Sequence, residues 1–86
     1  MYNLILSDKF QKQIKQIVKS NPHLKSRLAR TFEYLRNNIN HPSLRLHKLA
    51  GQNNWSISVT KSIRIIAHIE KDIIYFLRIG AHDEVY

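Results

Sequence analysis

The sequence predicts an α+β fold in the order β-α-α-β-β-β-β, with a two-helix hairpin packed on one face of a mainly antiparallel twisted sheet. Three observations predict it. Apolar side chains recur at helical spacing from Phe10 to Ile39, they alternate at the period of a strand from Leu44 onward, and Asn21-Pro22 divides the helical half in two. With 86 residues, 43% of them hydrophobic, one domain over residues 1–86 with one core is expected.

Each element follows from its pattern. Met1 to Leu6 reads as a short strand, with Tyr2, Leu4 and Leu6 on one face and Ile5 on the other. Ser7 or Asp8 can cap the first helix by accepting a free N–H group. Phe10, Ile14, Ile17 and Val18 then form one apolar stripe, while Lys9, Lys12, Lys15 and Lys19 occupy other faces, ordinarily the mark of a solvated surface. Asn21 is the expected cap of a second helix starting at Pro22. Leu24, Leu28, Phe32, Leu35 and Ile39 continue the stripe, and Asn37-Asn38 with His41-Pro42 ends it.

Beyond residue 43 the period becomes two. Leu44 and Leu46 alternate with Arg45 and His47, as in a half-exposed strand. A turn is expected at Gly51-Gln52-Asn53-Asn54, after which Trp55, Ile57 and Val59 alternate with Ser56, Ser58 and Thr60. A second turn near Lys61-Ser62 leads to Ile63, Ile65, Ala67 and Ile69 on one face and Arg64, Ile66, His68 and Glu70 on the other. Lys71-Asp72 is the next turn. Ile73 to Ile79 is apolar on both faces except at Arg78, and is expected to be the most enclosed strand.

Composition narrows the partners. Fourteen lysines and arginines against six acids give +8, which favours polyanions, RNA or DNA before anionic lipid. The chain has no cysteine, so disulfides and thiolate metal sites are excluded. The N-terminus has no basic region ahead of an apolar one, and no apolar run approaches the ~18 residues of a membrane helix. A soluble, cytoplasmic protein without a membrane partner is expected.

Chemistry must come from the remaining side chains. Histidines 23, 41, 47, 68 and 82 lack the paired spacings of common zinc sites, so neither a metal nor another cofactor is expected. Arg64 interrupts an apolar strand, where an unpaired guanidinium is costly. It needs water, a carboxylate such as Glu70 or Glu33, or a phosphate, which its planar fork matches best. The ending from Gly80 continues directly from the enclosed strand and carries one imidazole, His82, and one phenol, Tyr86.

Leu46-His47-Lys48-Leu49-Ala50-Gly51, Trp55 in its alternating strand, Ile63-Arg64-Ile65-Ile66, and Gly80-Ala81-His82-Asp83-Glu84-Val85-Tyr86 together resemble the RelE/ParE toxin superfamily. The resemblance spans the chain in element order, with its specific motifs in residues 44–86, and is strongest to the RelE, YoeB and YafQ branch. It implies a RelE-like fold and the toxin half of a type II toxin–antitoxin pair. Such toxins enter the ribosomal A site and cut messenger RNA. The resemblance places Arg64 at the phosphate-binding arginine, His82 at a histidine of YoeB-like and YafQ-like toxins, and Tyr86 at the C-terminal aromatic. His47 resembles a catalytic histidine of the YafQ branch. Ser43 and Ser62 stand where YoeB-like glutamate and YafQ-like aspartate occur, which leaves the general base open.

The implied reaction is metal-independent attack by a 2′-hydroxyl. Histidine suits either proton transfer, since its ordinary pKa of ~6.5 lies near working pH. His47 is the implied base and His82 the acid, although the exchanged assignment fits equally. Arg64 would stabilise the phosphorane charge, and Tyr86 would stack on a base or orient the hydroxyl. Arg45, Lys48 and Lys61 are candidates for RNA or ribosomal phosphates. An acidic, RelB-like antitoxin is the implied protein partner, alongside ribosome and messenger RNA, with no small-molecule substrate. Two readings compete: a ParE-like DNA gyrase inhibitor that cuts nothing, and a non-catalytic RNA-binding protein.

Overall fold

The computed structural model describes residues 1–50, 53–81 and 85. Strand β1 (Asn3–Leu6) leads into helix α1 (Asp8–Ser20) and helix α2 (Leu24–Asn37). A 3-10 turn (Pro42–Leu44) precedes strands β2 (His47–Lys48), β3 (Asn54–Ser58), β4 (Ile63–Glu70) and β5 (Ile73–Ala81). The sheet order is β1-β5-β4-β3-β2. Only β1 and β5 are parallel; the other three pairings are antiparallel. The α+β class, the element order and the helical layer are those the sequence predicts.

The layers meet through an aromatic cluster. Phe10 of α1 stacks on Phe76 of β5 at 5.1 Å, and Phe32 of α2 meets both rings edge-on, at 6.4 Å and 5.3 Å. Leu28 and Leu35 of α2 close the core over Ile57, Ile65, Ala67, Ile74 and Ile79 of the sheet. At roughly 1.5–3 kcal/mol for each large apolar side chain fully buried, this face supplies the bulk of the driving force for folding. Ser7 caps α1, its Oγ accepting from the Phe10 N–H at 3.1 Å.

Four local expectations change. Helix α2 starts at Leu24, because backbone bonds from Leu24 to Asn21 and from Lys25 to Pro22 form a separate turn ahead of it. Asn21 instead closes α1, its N–H donating to the Ile17 carbonyl. Residues 44–46 are not a strand. His41 Nδ1 accepts the Ser43 N–H at 3.2 Å and starts the 3-10 turn, which sends Leu44 into the core and leaves β2 two residues long.

The third change concerns enclosure. Strand β4, at the centre of the sheet, holds three consecutive fully buried residues, Ile65, Ile66 and Ala67, where β5 was expected to be the most enclosed. Fourth, β5 carries a bulge: Ile66 faces Arg78 while Ala67 faces Phe76, so Leu77 has no partner in the register. The extra residue turns Phe76 and Ile79 to the same, helix-covered side although they are three apart. It also turns Arg78 to the opposite side, beside Ile66.

Candidate active site

Helices α1 and α2 cover one face of the sheet and leave the other open, although Ser56 and Ile66 on that open face are buried. Register assembles that open face in rows. Ser58, Arg64 and Gly80 form one row, and His47, Ser56, Ile66 and Arg78 the next. Asn54, His68 and Tyr75 form a third.

The first row opens into a depression of about 190 Å³ lined by Arg45, Ser58, Lys61 and Arg64. Three separate devices bring the cations there. Arg45 leaves the 3-10 turn in the left-handed region, φ 44° and ψ 48°, a conformation that costs a non-glycine residue about 1 kcal/mol or more. Lys61 rides the tip of the β3–β4 hairpin, which Thr60 shapes by accepting the Ser62 and Ile63 N–H groups on its Oγ1. Arg64 projects from β4 and is half-buried. Its Nε donates to Ser56 Oγ at 2.9 Å, and Ser56 is fully buried, so the hydroxyl holds the guanidinium in one orientation.

Gly80 stands opposite Arg64 and brings no side chain over it, which leaves room for a ligand to approach the fork. Among the described residues, neither Glu70 nor Glu33 pairs with Arg64; Glu70 meets His68 and Glu33 meets Arg36. Three cations around one hollow, with a serine hydroxyl beside them, concentrate positive charge and donors of the kind that complement a phosphate group.

The other candidates are placed unevenly. His47 is exposed on β2, two strands and one row from Arg64. Strand geometry makes that about 12 Å between Cα atoms, a gap that one phosphodiester and two long side chains can bridge. Lys48 points to the opposite side of β2, paired with Trp55, and does not line the depression. His82 and Tyr86 lie outside the described residues, as do Gly51 and Gln52 of the expected turn.

His68 is engaged locally: its Nδ1 lies 3.2 Å from Asn54 Oδ1 and its Nε2 3.7 Å from Glu70. His41 stacks on Tyr34 at 3.8 Å and fastens the 3-10 turn to α2. Ser43 Oγ sits 2.7 Å from the His41 ring, so it belongs to that fastening. Among the described residues no group of three or more histidines, cysteines or carboxylates could hold a metal ion. Among the described residues no helix is long and apolar enough to cross a membrane. A larger hollow of about 290 Å³, between α1 and the end of β5, is lined among the described residues by Gln13, Gln16, Ile17, Ser20, Ile79 and Gly80, none of them ionisable.

Sequence reasoning missed Ser56 and Arg78. The signal for Ser56 was its place in the Ser56-Ser58-Thr60 alternation, which puts it on the Arg64 side. Arg78 Nε donates to the Val85 carbonyl at 3.0 Å, and Val85 is buried. Residue 85 is thereby tied to the His47 row of the open face. The bulge that turns Arg78 to that side leaves no mark in the pattern of residues.

The sequence profile of the family described as the ParE toxin of the type II toxin–antitoxin system, parDE, matches residues 4–86. No curated protein sequence matches the chain. A copper-bound mutant toxin from Helicobacter pylori superposes with a TM-score of 0.84 at 22% identity, over 100% of both chains. A mutant of YafQ from E. coli gives 0.84 at 18% identity, over 100% of this chain and 99% of its own. The E. coli DinJ–YafQ complex gives 0.84 at 19%, with the same coverage. At these identities the structural likeness establishes the fold.

Proposed function

The chain belongs to the ParE toxin family of type II toxin–antitoxin systems, and we propose that it arrests translation by cutting messenger RNA on the ribosome without a metal. The observation that carries this reading is the convergence of Arg45, Lys61 and Arg64 on one depression, on the same sheet face as His47. A phosphodiester seated there meets three cations and has an imidazole within side-chain reach.

In the reaction the 2′-hydroxyl oxygen attacks the adjacent phosphorus, and His47 takes the hydroxyl proton. Negative charge gathers on the phosphorane oxygens, where the Arg64 fork, fixed by Ser56, stabilises it with Lys61 and Arg45. The P–O5′ bond breaks, and the departing oxygen takes a proton from His82. A 2′,3′-cyclic phosphate and a 5′-hydroxyl end result. Tyr86 stacks on a neighbouring base, and Lys48 serves phosphate outside the reacting centre. The roles of His82 and Tyr86 rest on the family resemblance.

Residues 1–86 act as one domain in the cytoplasm, where translation runs. An acidic antitoxin neutralises it. The +8 charge favours such a partner, and the fold is shared by a YafQ toxin held by DinJ.

Two assays run side by side test the reading. Primer extension on messenger RNA translated in a purified system should show cuts that wild-type protein makes and Arg64→Ala loses by about 10²–10³-fold, the usual cost of one transition-state donor. A supercoiling assay with DNA gyrase should show no inhibition. Gyrase inhibition with uncut messenger RNA would replace this reading with the non-nucleolytic one.

A further inference from the structure

The net charge does not sit where the proposed chemistry is. The helical hairpin, residues 8–37, carries eight of the fourteen lysines and arginines but only two of the six acids, Asp8 and Glu33. Its net +6 is three quarters of the charge of the whole chain. That hairpin covers the side of the sheet opposite the Arg64 depression.

The cations are arranged as well as numerous. On α1, Lys12, Lys15 and Lys19 are exposed at spacings of three and four, directly opposite the Phe10, Ile14 and Ile17 stripe that faces the core. On α2, Arg27 and Arg30 are exposed one turn apart. Among the described residues, Glu33 forms an ion pair with Arg36 and accepts from the Asn37 amide, and no carboxylate forms an ion pair with these five. Unrelieved like charge on adjacent turns destabilises a helix by a few tenths of a kcal/mol per pair. It persists at a cost to the monomer that a bound polyanion would remove.

The character of the face selects the polyanion. Met1 and Ile5, both outside the helices, are the exposed large hydrophobic residues of the described chain. A protein partner ordinarily needs an apolar or aromatic anchor at the centre of its interface. A phosphate backbone needs only spaced cations and returns free energy through counterion release.

We propose that the outer face of α1 and α2 is a second RNA-binding surface, which grips phosphate backbone without reading sequence and without taking part in cleavage. The choice of RNA over DNA rests on the proposed reading of the opposite face; the surface itself does not. The molecule measures 33 × 26 × 24 Å, so the two basic faces stand farther apart than the ~8–10 Å over which salt screens charge. They act as independent sites, and a partner presenting RNA on two sides would engage both.

The test is binding of an uncut 20-base-pair RNA duplex to the full chain, measured by fluorescence anisotropy across a salt series. One variant combines Lys12→Gln, Lys15→Gln and Lys19→Gln; a second adds Arg27→Gln and Arg30→Gln. Glutamine keeps helix propensity, and circular dichroism melting confirms that each variant folds. Affinity should fall at least tenfold in the five-site variant, and the log–log salt slope should shrink by about 0.7–0.9 per cation removed. Arg64→Ala, which removes one cation of the opposite face, should lower duplex affinity far less than the five-site variant does.

Unchanged duplex binding by the folded variants would overturn the proposal. So would loss of binding in Arg64→Ala instead, or tighter wild-type binding to a DNA duplex of the same length. Loss of binding to poly-glutamate with duplex binding intact would assign the face to an acidic protein and overturn it too. Cleavage plays no part in this readout, so a failed endonuclease reading and a failed second surface give different results.

Discussion

On one side of the central strand, Ile65 and Ala67 share one core with Phe10, Leu28 and Leu35; on the other, Arg64 stands above a buried serine and opens to a hollow of cations. The two faces are separated by one residue along β4. The covered face gains its stability from apolar area and close packing, which tolerate little change of volume. The open face holds side chains by directed polar contacts: Arg64 to Ser56, His68 with Asn54, Arg78 to Val85. Strand alternation thus divides the work, with stability on one side and the proposed chemistry on the other.

Substitutions on the two faces should fail differently. Phe76→Ala removes a ring that touches both helices and should cost about 3–5 kcal/mol. In urea or thermal unfolding this would lower Tm by more than ten degrees, since each kcal/mol moves a domain of this size by about 4–8 °C. Arg64→Ala should cut cleavage by about 10²–10³ while leaving Tm within a few degrees. A large stability loss from Arg64→Ala would break the division of labour.

Smaller effects sharpen the boundary. Gln13 reaches from α1 to accept the Ile79 N–H at 3.0 Å, beyond the end of the β1 pairing. Gln13→Ala should cost about 1–3 kcal/mol through that unpaired donor, and hydrogen exchange at Ile79 should quicken while that of Ile65 stays slow. Lys61, exposed at a hairpin tip, should matter least. Lys61→Ala should lower ribosome-dependent cleavage only several-fold, with a weaker salt dependence and an unchanged melting curve.

The halves of the chain were legible to different depths, for physical reasons. The helix stripes, a cap at Ser7 or Asp8 and the three long strands are written in spacing; the structure has each, with Ser7 as the cap and β3 ending at Ser58 rather than Thr60. Local patterning failed at residues 44–46, where the His41 ring bonds the Ser43 backbone and a turn replaces a strand. Alternation alone cannot report a contact between a ring and a backbone two residues away. The β5 bulge was hidden because Ile73 to Ile79 is apolar on both sides, so the pattern does not show which residue is extra.

The site divides in the same way. Arg64 was visible as a lone charge in an apolar strand, and the structure adds the buried serine that orients it. Arg45 stands well before Lys61 and Arg64 in the chain, so only the fold brings it to the hairpin that carries the other two. Lys48 shared the motif of His47, but adjacent residues of a strand face opposite ways, and it falls outside the depression.

The cationic depression on the open face is the proposed centre of RNA cleavage. Single-turnover cleavage of messenger RNA on purified programmed ribosomes, comparing wild type with Arg64→Ala and Ser56→Ala, tests it most directly. Wild type should give a cut with a 2′,3′-cyclic phosphate end, Arg64→Ala should lose about 10²–10³ in rate, and Ser56→Ala should fall between them. Equal rates for all three folded proteins, or no cut by wild type, would contradict it.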